Sequence, residues 1–273
     1  MSTTGNLLKM HTSLAVPVEY QLPVGDTLLP LNDLIGNKLT LEYTGEINCI
    51  HCGRKSNKSF SQGYCFPCFK SLAQCDMCIV KPETCHFHAG TCREPDWAQD
   101  HCMQPHFVYL ANSSGIKVGI TRGSQIPTRW IDQGASSAMP IFKAKDRLTS
   151  GKLEMALKQH VADKTDWRKM LKGEPDSMDL AARRDEIVNA TTKELKQLEK
   201  ELGCDAFEFL PAERQQAIVY PVQHYPLKVT AHNLDKTPKV SGVLQGIKGQ
   251  YLIFDNGVMN IRKYGGYKVK VTV

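Results

Sequence analysis

The chain has 273 residues, a formal net charge of +6 and ordinary proportions of hydrophobic (41%) and charged (23%) residues. No apolar run approaches the roughly 20 residues needed to span a bilayer, and the opening MSTTGNLLKMHTSLAV shows no charged region followed by an apolar one. A membrane or secreted protein is therefore not expected, and the expected compartment is the cytoplasm. The mild basicity, with a pI near 8.7, is compatible with a nucleic-acid partner yet short of the footprint of a dedicated binder.

Residues 1–45 alternate apolar and polar positions in short runs, Ala15–Leu22 and Lys38–Tyr43, interrupted by Pro17, Pro23 and Pro30. They read as short edge strands with turns between them, a small β segment packed on something else. Residues 46–106 change character, because nine of the ten cysteines lie between Cys49 and Cys102. In a reducing compartment such closely spaced pairs point to metal rather than to disulfides. Cys49-Ile-His-Cys52 and Cys65-Phe-Pro-Cys68 are two C-x2-C knuckles, and four thiolates satisfy one tetrahedral zinc. A second set follows, with Cys75, Cys78, Cys85 and Cys92 as the simplest four ligands. Cys102, His88 or His101 could replace one of them, and four thiolates would serve an iron–sulfur cluster as well. About two structural zinc ions are expected, and they would supply folding energy to a stretch poor in aliphatic residues.

Residues 107–172 read as strand, strand, helix, strand, helix. Phe107–Ala111 and Lys117–Thr121 flank Asn112-Ser-Ser-Gly115, a turn in which Gly115 can take positive φ. A short helix starts near Thr128 after Pro127, Ala138–Lys145 is a third strand, and Leu153, Leu157 and Val161 make an apolar stripe at helical spacing. Residues 173–205 form a charged helical region, with a break near Asn189 and Gly203 as a C-cap. Cys204, lacking an adjacent histidine, is expected to be a buried structural thiol. Residues 206–273 hold short strands and an Asp255-Asn-Gly turn, which suggests a β-barrel-like unit. Lys248, Arg262, Lys263, Lys268 and Lys270, interleaved with Tyr251, Tyr264 and Tyr267, are candidates for a basic aromatic face. The expected fold class is α+β: a small α/β module with a cysteine-rich zinc-binding region and a C-terminal β-barrel-like unit.

At the hairpin the order of residues resembles the GIY-YIG nuclease superfamily. Val108-Tyr109 matches its first motif strand, and Lys117-Val-Gly-Ile-Thr121 matches its second, with lysine where many members have tyrosine. Arg129 corresponds to the arginine of the first helix and Glu154 to the metal-binding glutamate of a later one. The histidine that often follows the helical arginine is missing, and no asparagine occurs between Glu154 and Asn189. The layout as a whole, a cysteine-rich front and a β tail, also resembles an uncharacterised bacterial protein family.

The GIY-YIG resemblance implies phosphodiester hydrolysis. Glu154 would hold magnesium or manganese, Tyr109 would position or deprotonate water, Arg129 would stabilise charge on phosphate, and Lys117 would assist. The alternatives are a non-catalytic nucleic-acid-binding protein and a zinc-stabilised interaction adaptor without nucleic acid. Convergence of Tyr109, Arg129 and Glu154 on one positively charged cleft is the observation that favours the first.

Overall fold

The computed structural model describes residues 2–161 and 166–273. Its strands, in chain order among the described residues, are β1 (Ser2–Asn6), β2 (His11–Ser13), β3 (Glu19–Val24), β4 (Thr27–Pro30), β5 (Lys38–Ile47), β6 (His106–Asn112), β7 (Ile116–Arg122), β8 (Ser137–Ala144), β9 (Phe207–Phe209), β10 (Gln216–Ala217), β11 (Lys239–Lys248), β12 (Tyr251–Phe254), β13 (Gly257–Asn260) and β14 (Tyr267–Thr272). The helices are α1 (Phe66–Ser71), α2 (Pro95–His101), α3 (Thr128–Asp132), α4 (Arg147–Lys158), α5 (Trp167–Met170), α6 (Leu180–Ala190) and α7 (Thr192–Leu202). None of them is long and apolar enough to cross a membrane.

The β6–β7 hairpin is the middle layer of the molecule. Its pairing is in register from His106–Arg122 to Asn112–Ile116, and β8 pairs along the other edge of β6. Successive side chains on a strand point to opposite faces, and here both faces are covered. Tyr109 and Ala111 enter a core shared with the N- and C-terminal strands. Val108 and Leu110 enter a second core with Leu153 and Leu157 of α4, Leu180 and Ile187 of α6, and Leu195 of α7. This double burial explains why the strand reads as a near-continuous apolar run.

On the first side lies a six-stranded sheet in the order β1-β14-β5-β11-β12-β13. It is an open sheet, so the expected C-terminal barrel-like closure does not occur. Strands from residues 1–45 and 206–273 join one sheet, across the boundaries drawn from the sequence. The physical reason is visible at Leu41, which stands between Val271 and Val240, all three buried. β5 is accordingly interior, not an edge strand. The Asp255-Asn-Gly turn does connect a hairpin, β12 to β13. The charged helical region divides as its sequence indicates, with α6 capped by the Asp179 carboxylate and α7 ending at Gly203.

α4 carries Arg147 and Glu154. Asp146 caps it, accepting from the Thr149 N–H at 2.8 Å. Gly151, a poor residue for a helix interior, has a local reason to be there: a Cβ would collide with the backbone of Pro82 and Glu83. The cysteine-rich loop thus rests directly on the helix.

Candidate functional site

The first candidate centre is built from Cys49, Cys52, Cys65 and Cys68. Gly53 takes a left-handed φ of +72° and its N–H donates to the Cys49 carbonyl at 2.9 Å, folding the first knuckle back on itself. Cys65 precedes α1 and Cys68 lies within it. All four sulfurs lie within 4.8 Å of one another, and Cys52 Sγ stands 3.8 Å from Cys65 Sγ. Four sulfurs held tetrahedrally at about 2.3 Å from zinc are about 3.8 Å apart, so this donor set fits one ion. Burial pushes the Cys49 thiol up, but hydrogen bonding from the backbone of Cys52, Cys65 and His51 more than offsets it and brings it down to about 6. Cys49 is thus the member most readily present as thiolate, whereas burial and the neighbouring thiols push Cys68 up.

In the second cysteine region the residues separate. Cys75 packs with Cys49, Cys65, Cys68 and Leu72 on the side of the first centre. Cys78, Cys85 and Cys92 line a small cavity instead, together with Cys102. His88 and His101 do not line it. His88 Nε2 lies 3.7 Å from the Asp146 carboxylate, while His101 stacks on Trp97 and its Nδ1 is 2.8 Å from the Trp97 carbonyl. Asp76, Cys78 and His86 also bring potential ligand atoms within 4.8 Å of one another.

Lys117, Gly119, Arg129 and Glu154, among the residues on which the sequence resemblance rests, meet at a cleft of about 680 Å³ on the other side of this loop. β7 contributes Lys117 and Gly119, α3 contributes Arg129, and α4 contributes Glu154. Seven basic side chains line the cleft against two acidic ones, so its field favours an anion. Glu154 Oε1 lies 3.3 Å from Lys158 Nζ, one turn along α4. The second carboxylate, Asp132, is committed: Lys9 Nζ approaches at 2.9 Å and Gln250 donates at 2.8 Å. Burial lowers the Arg262 guanidinium from its ordinary value, and Arg129 beside it acts in the same direction. Burial lowers Arg147 too, with Arg129 again contributing.

Tyr109 lies beneath this cleft rather than in its wall. It is fully buried, its hydroxyl is close to Arg129 and Gln133, and it makes no hydrogen bond of good geometry. Burial raises the phenol above its ordinary value of 10 despite the Arg129 charge. Tyr109 can offer an O–H but is no base at neutral pH.

Several contributors were not evident from the sequence. Lys9, Arg147 and Lys158 line the cleft, and only Lys158 had a local cue, its i,i+4 spacing from Glu154. The sequence places Arg262 on a basic face of the C-terminal strands. That face does not form: Lys248 is fully buried beside Glu174 at 2.9 Å, and Tyr264 and Tyr267 belong to the core. Cys204 is exposed, not buried, because it follows the end of α7 at Gly203.

Residues 36–269 match a family model described as protein of unknown function (DUF2797), and the chain belongs to that family. No curated protein and no solved structure matches the chain.

Proposed function

We propose that this protein is a divergent GIY-YIG-like module that acts on nucleic acid at the basic cleft, with phosphodiester hydrolysis as its chemistry. The observation that carries the reading is the meeting of Lys117, Arg129 and Glu154 in one cleft dominated by basic side chains. The strand, strand, helix, strand, helix order of β6, β7, α3, β8 and α4 accords with it.

In this reading Arg129, Arg147 and Arg262 hold a phosphodiester by charge-assisted hydrogen bonds. Binding relieves the crowding among guanidiniums that burial has already made costly. Lys117, on the strand beside Arg129, stabilises charge as it builds on the non-bridging oxygens. Tyr109 stays protonated and orients Arg129 and Gln133 from below. A divalent ion would be held by Glu154, with water and phosphate completing its shell, and would supply a more acidic bound water. Asp132 is not available as a second ligand, since Lys9 and Gln250 hold it. Cys49, Cys52, Cys65 and Cys68 would hold a zinc ion in a structural role, since four protein thiolates would leave it no open position.

A second reading, binding without cleavage, is favoured by the Glu154–Lys158 pair, in which the lysine competes with a metal for the Glu154 carboxylate. The experiment is nicking of plasmid DNA and of structured RNA with magnesium or manganese, comparing wild type with Glu154→Gln, alongside binding by wild type and Arg129→Ala. Cleavage by wild type and not by Glu154→Gln supports hydrolysis. Binding weakened by Arg129→Ala, without cleavage, supports the second reading. Absence of both binding and cleavage overturns the proposal.

A further inference from the structure

Outside the cleft, the most chemically loaded place in the molecule is the small cavity enclosed by the loop from Cys78 to Cys102. Cys78, Cys85, Cys92 and Cys102 all line it, although they are spread over 25 residues and come from different turns. Cys78 sits in a 3-10 turn and Cys102 closes α2. Buried cysteines can pack as small apolar side chains, but four of them brought from separate turns to one space are also the donor set of a tetrahedral zinc site. We infer that Cys78, Cys85, Cys92 and Cys102 hold a second structural zinc ion, and that Cys75 is not one of its ligands.

Size decides between a single ion and a cluster. The cavity is about 10 Å³, room for roughly one water-sized sphere, whereas an iron–sulfur cluster brings several iron and sulfide atoms inside its cysteines. The rival set, Asp76, Cys78 and His86, lines the same cavity with its ligand atoms within 4.8 Å of one another, but its two members other than Cys78 are occupied with their own contacts. Asp76 Oδ2 accepts from Arg93 Nε at 2.6 Å. His86 Nδ1 lies 2.8 Å from the Thr91 hydroxyl, and its Nε2 faces Asp76 at 3.6 Å. These residues brace the loop around the cysteines; taking them as ligands would break the Asp76–Arg93 pair. Cys75 packs on the other side, against the first centre.

The ion would fasten more than its own loop. The carbonyls of Cys78 and Ile79 accept from the Arg147 guanidinium at 3.3 and 2.6 Å, and the Arg147 N–H donates to the Cys102 carbonyl at 2.9 Å. Arg147 begins α4 and also lines the cleft. Closing the loop on zinc therefore fixes the start of the helix that carries Glu154. This site stands independently of the proposed hydrolysis, since it is read from cysteines that do not line the cleft.

The test is metal content and coordination in the full-length protein. Wild type purified without chelator should carry about two zinc ions per chain, one per set of four ligands. Cys92→Ser and Cys102→Ser should each carry one fewer, and Cys75→Ser should carry as many as wild type. Should the Cys92 and Cys102 variants not fold, cadmium-loaded wild type tests the all-thiolate set, with two resonances in the four-thiolate range expected, and cadmium-loaded Cys75→Ser tests the exclusion of Cys75, with both resonances retained. One four-thiolate resonance with a second at the position of mixed nitrogen, oxygen and sulfur ligands would overturn the ligand set. So would loss of an ion in folded Cys75→Ser, or its retention in both Cys92→Ser and Cys102→Ser. One zinc in wild type, or iron in place of the second, would overturn the second zinc altogether.

Discussion

The Tyr109 hydroxyl lies 2.6 Å from the position a Cβ would take on Gly119, its cross-strand partner. The tyrosine ring occupies the space that a side chain at 119 would need, and full burial leaves the ring nowhere to move. Gly119→Ala is therefore an overpacking change, expected to cost about 1–3 kcal/mol. Urea unfolding should show a lower midpoint with an unchanged m-value. Because the two residues touch, the cost should shrink when Tyr109 is also shortened to leucine. Equal costs in both backgrounds would show that the ring does not set the restriction.

Tyr109→Phe separates packing from chemistry. The phenol oxygen is buried without a hydrogen bond of good geometry, and such a group contributes nothing to the fold while paying for its desolvation. The expected outcome is unchanged or slightly higher stability. If the hydroxyl orients Arg129 and Gln133 for catalysis, cleavage should fall at the same time, by about tenfold or more. Normal nicking by a stable Tyr109→Phe protein would remove the residue from the mechanism.

These two residues also show how far the sequence carried. The hairpin and its turn were legible because strand alternation and glycine placement are local properties. The grouping of Cys49, Cys52, Cys65 and Cys68 was legible because each knuckle spans only four residues. The location of Tyr109 below the cleft was not, since it depends on a second sheet formed partly from residues 1–45. The same sheet hid the role of Arg262 and buried Lys248 and Tyr264, whose basic and aromatic character suggested a surface. Cys75 was misleading for a related reason: its spacing from Cys78 mimics a knuckle, but consecutive 3-10 turns send the two thiols to different sides.

His106, at the start of β6, should make stability sensitive to acid. It is fully buried, and burial depresses it from 6.5 to about 4. The unfolded chain then binds a proton that the folded chain refuses between those values. Stability on this account is fully present above about pH 6.5 and declines as pH falls toward 4, by about 3 kcal/mol in all. The difference in unfolding free energy between wild type and His106→Gln, followed from pH 7.5 to 4.5 at fixed zinc, should fall away toward acid. A pH-independent difference would contradict the depressed value.

The basic lining of the cleft should be visible as salt dependence. Each phosphate contact releases counterions, giving a slope of log K against log salt of about −0.9 per contact on duplex DNA. Arg129→Ala and Arg262→Ala should each weaken binding and reduce the slope by about one. Arg183→Ala, on an exposed helical ion pair with Glu186, should alter neither. A wild-type slope near zero would mean that nucleic acid is not the anion the cleft is built to receive.

Gly151 tests whether the cysteine-rich loop and the cleft are mechanically one unit. Its missing side chain lets the Pro82–Glu83 backbone press against α4, one turn before Glu154. On an exposed helix Gly→Ala would stabilise by up to about 1 kcal/mol through helix propensity. Here the methyl meets backbone, which cannot swing aside as the end of a side chain can, so the sign should reverse and the cost reach about 1–3 kcal/mol. The displaced loop carries the Cys78 and Ile79 carbonyls that hold Arg147, so the disturbance should extend to both sides of the contact. Hydrogen exchange should quicken at the start of α4 and within the loop together, and zinc should leave the second site faster on addition of chelator. Faster exchange confined to α4, with zinc release unchanged, would show that the loop merely leans on the helix and that the two regions move independently.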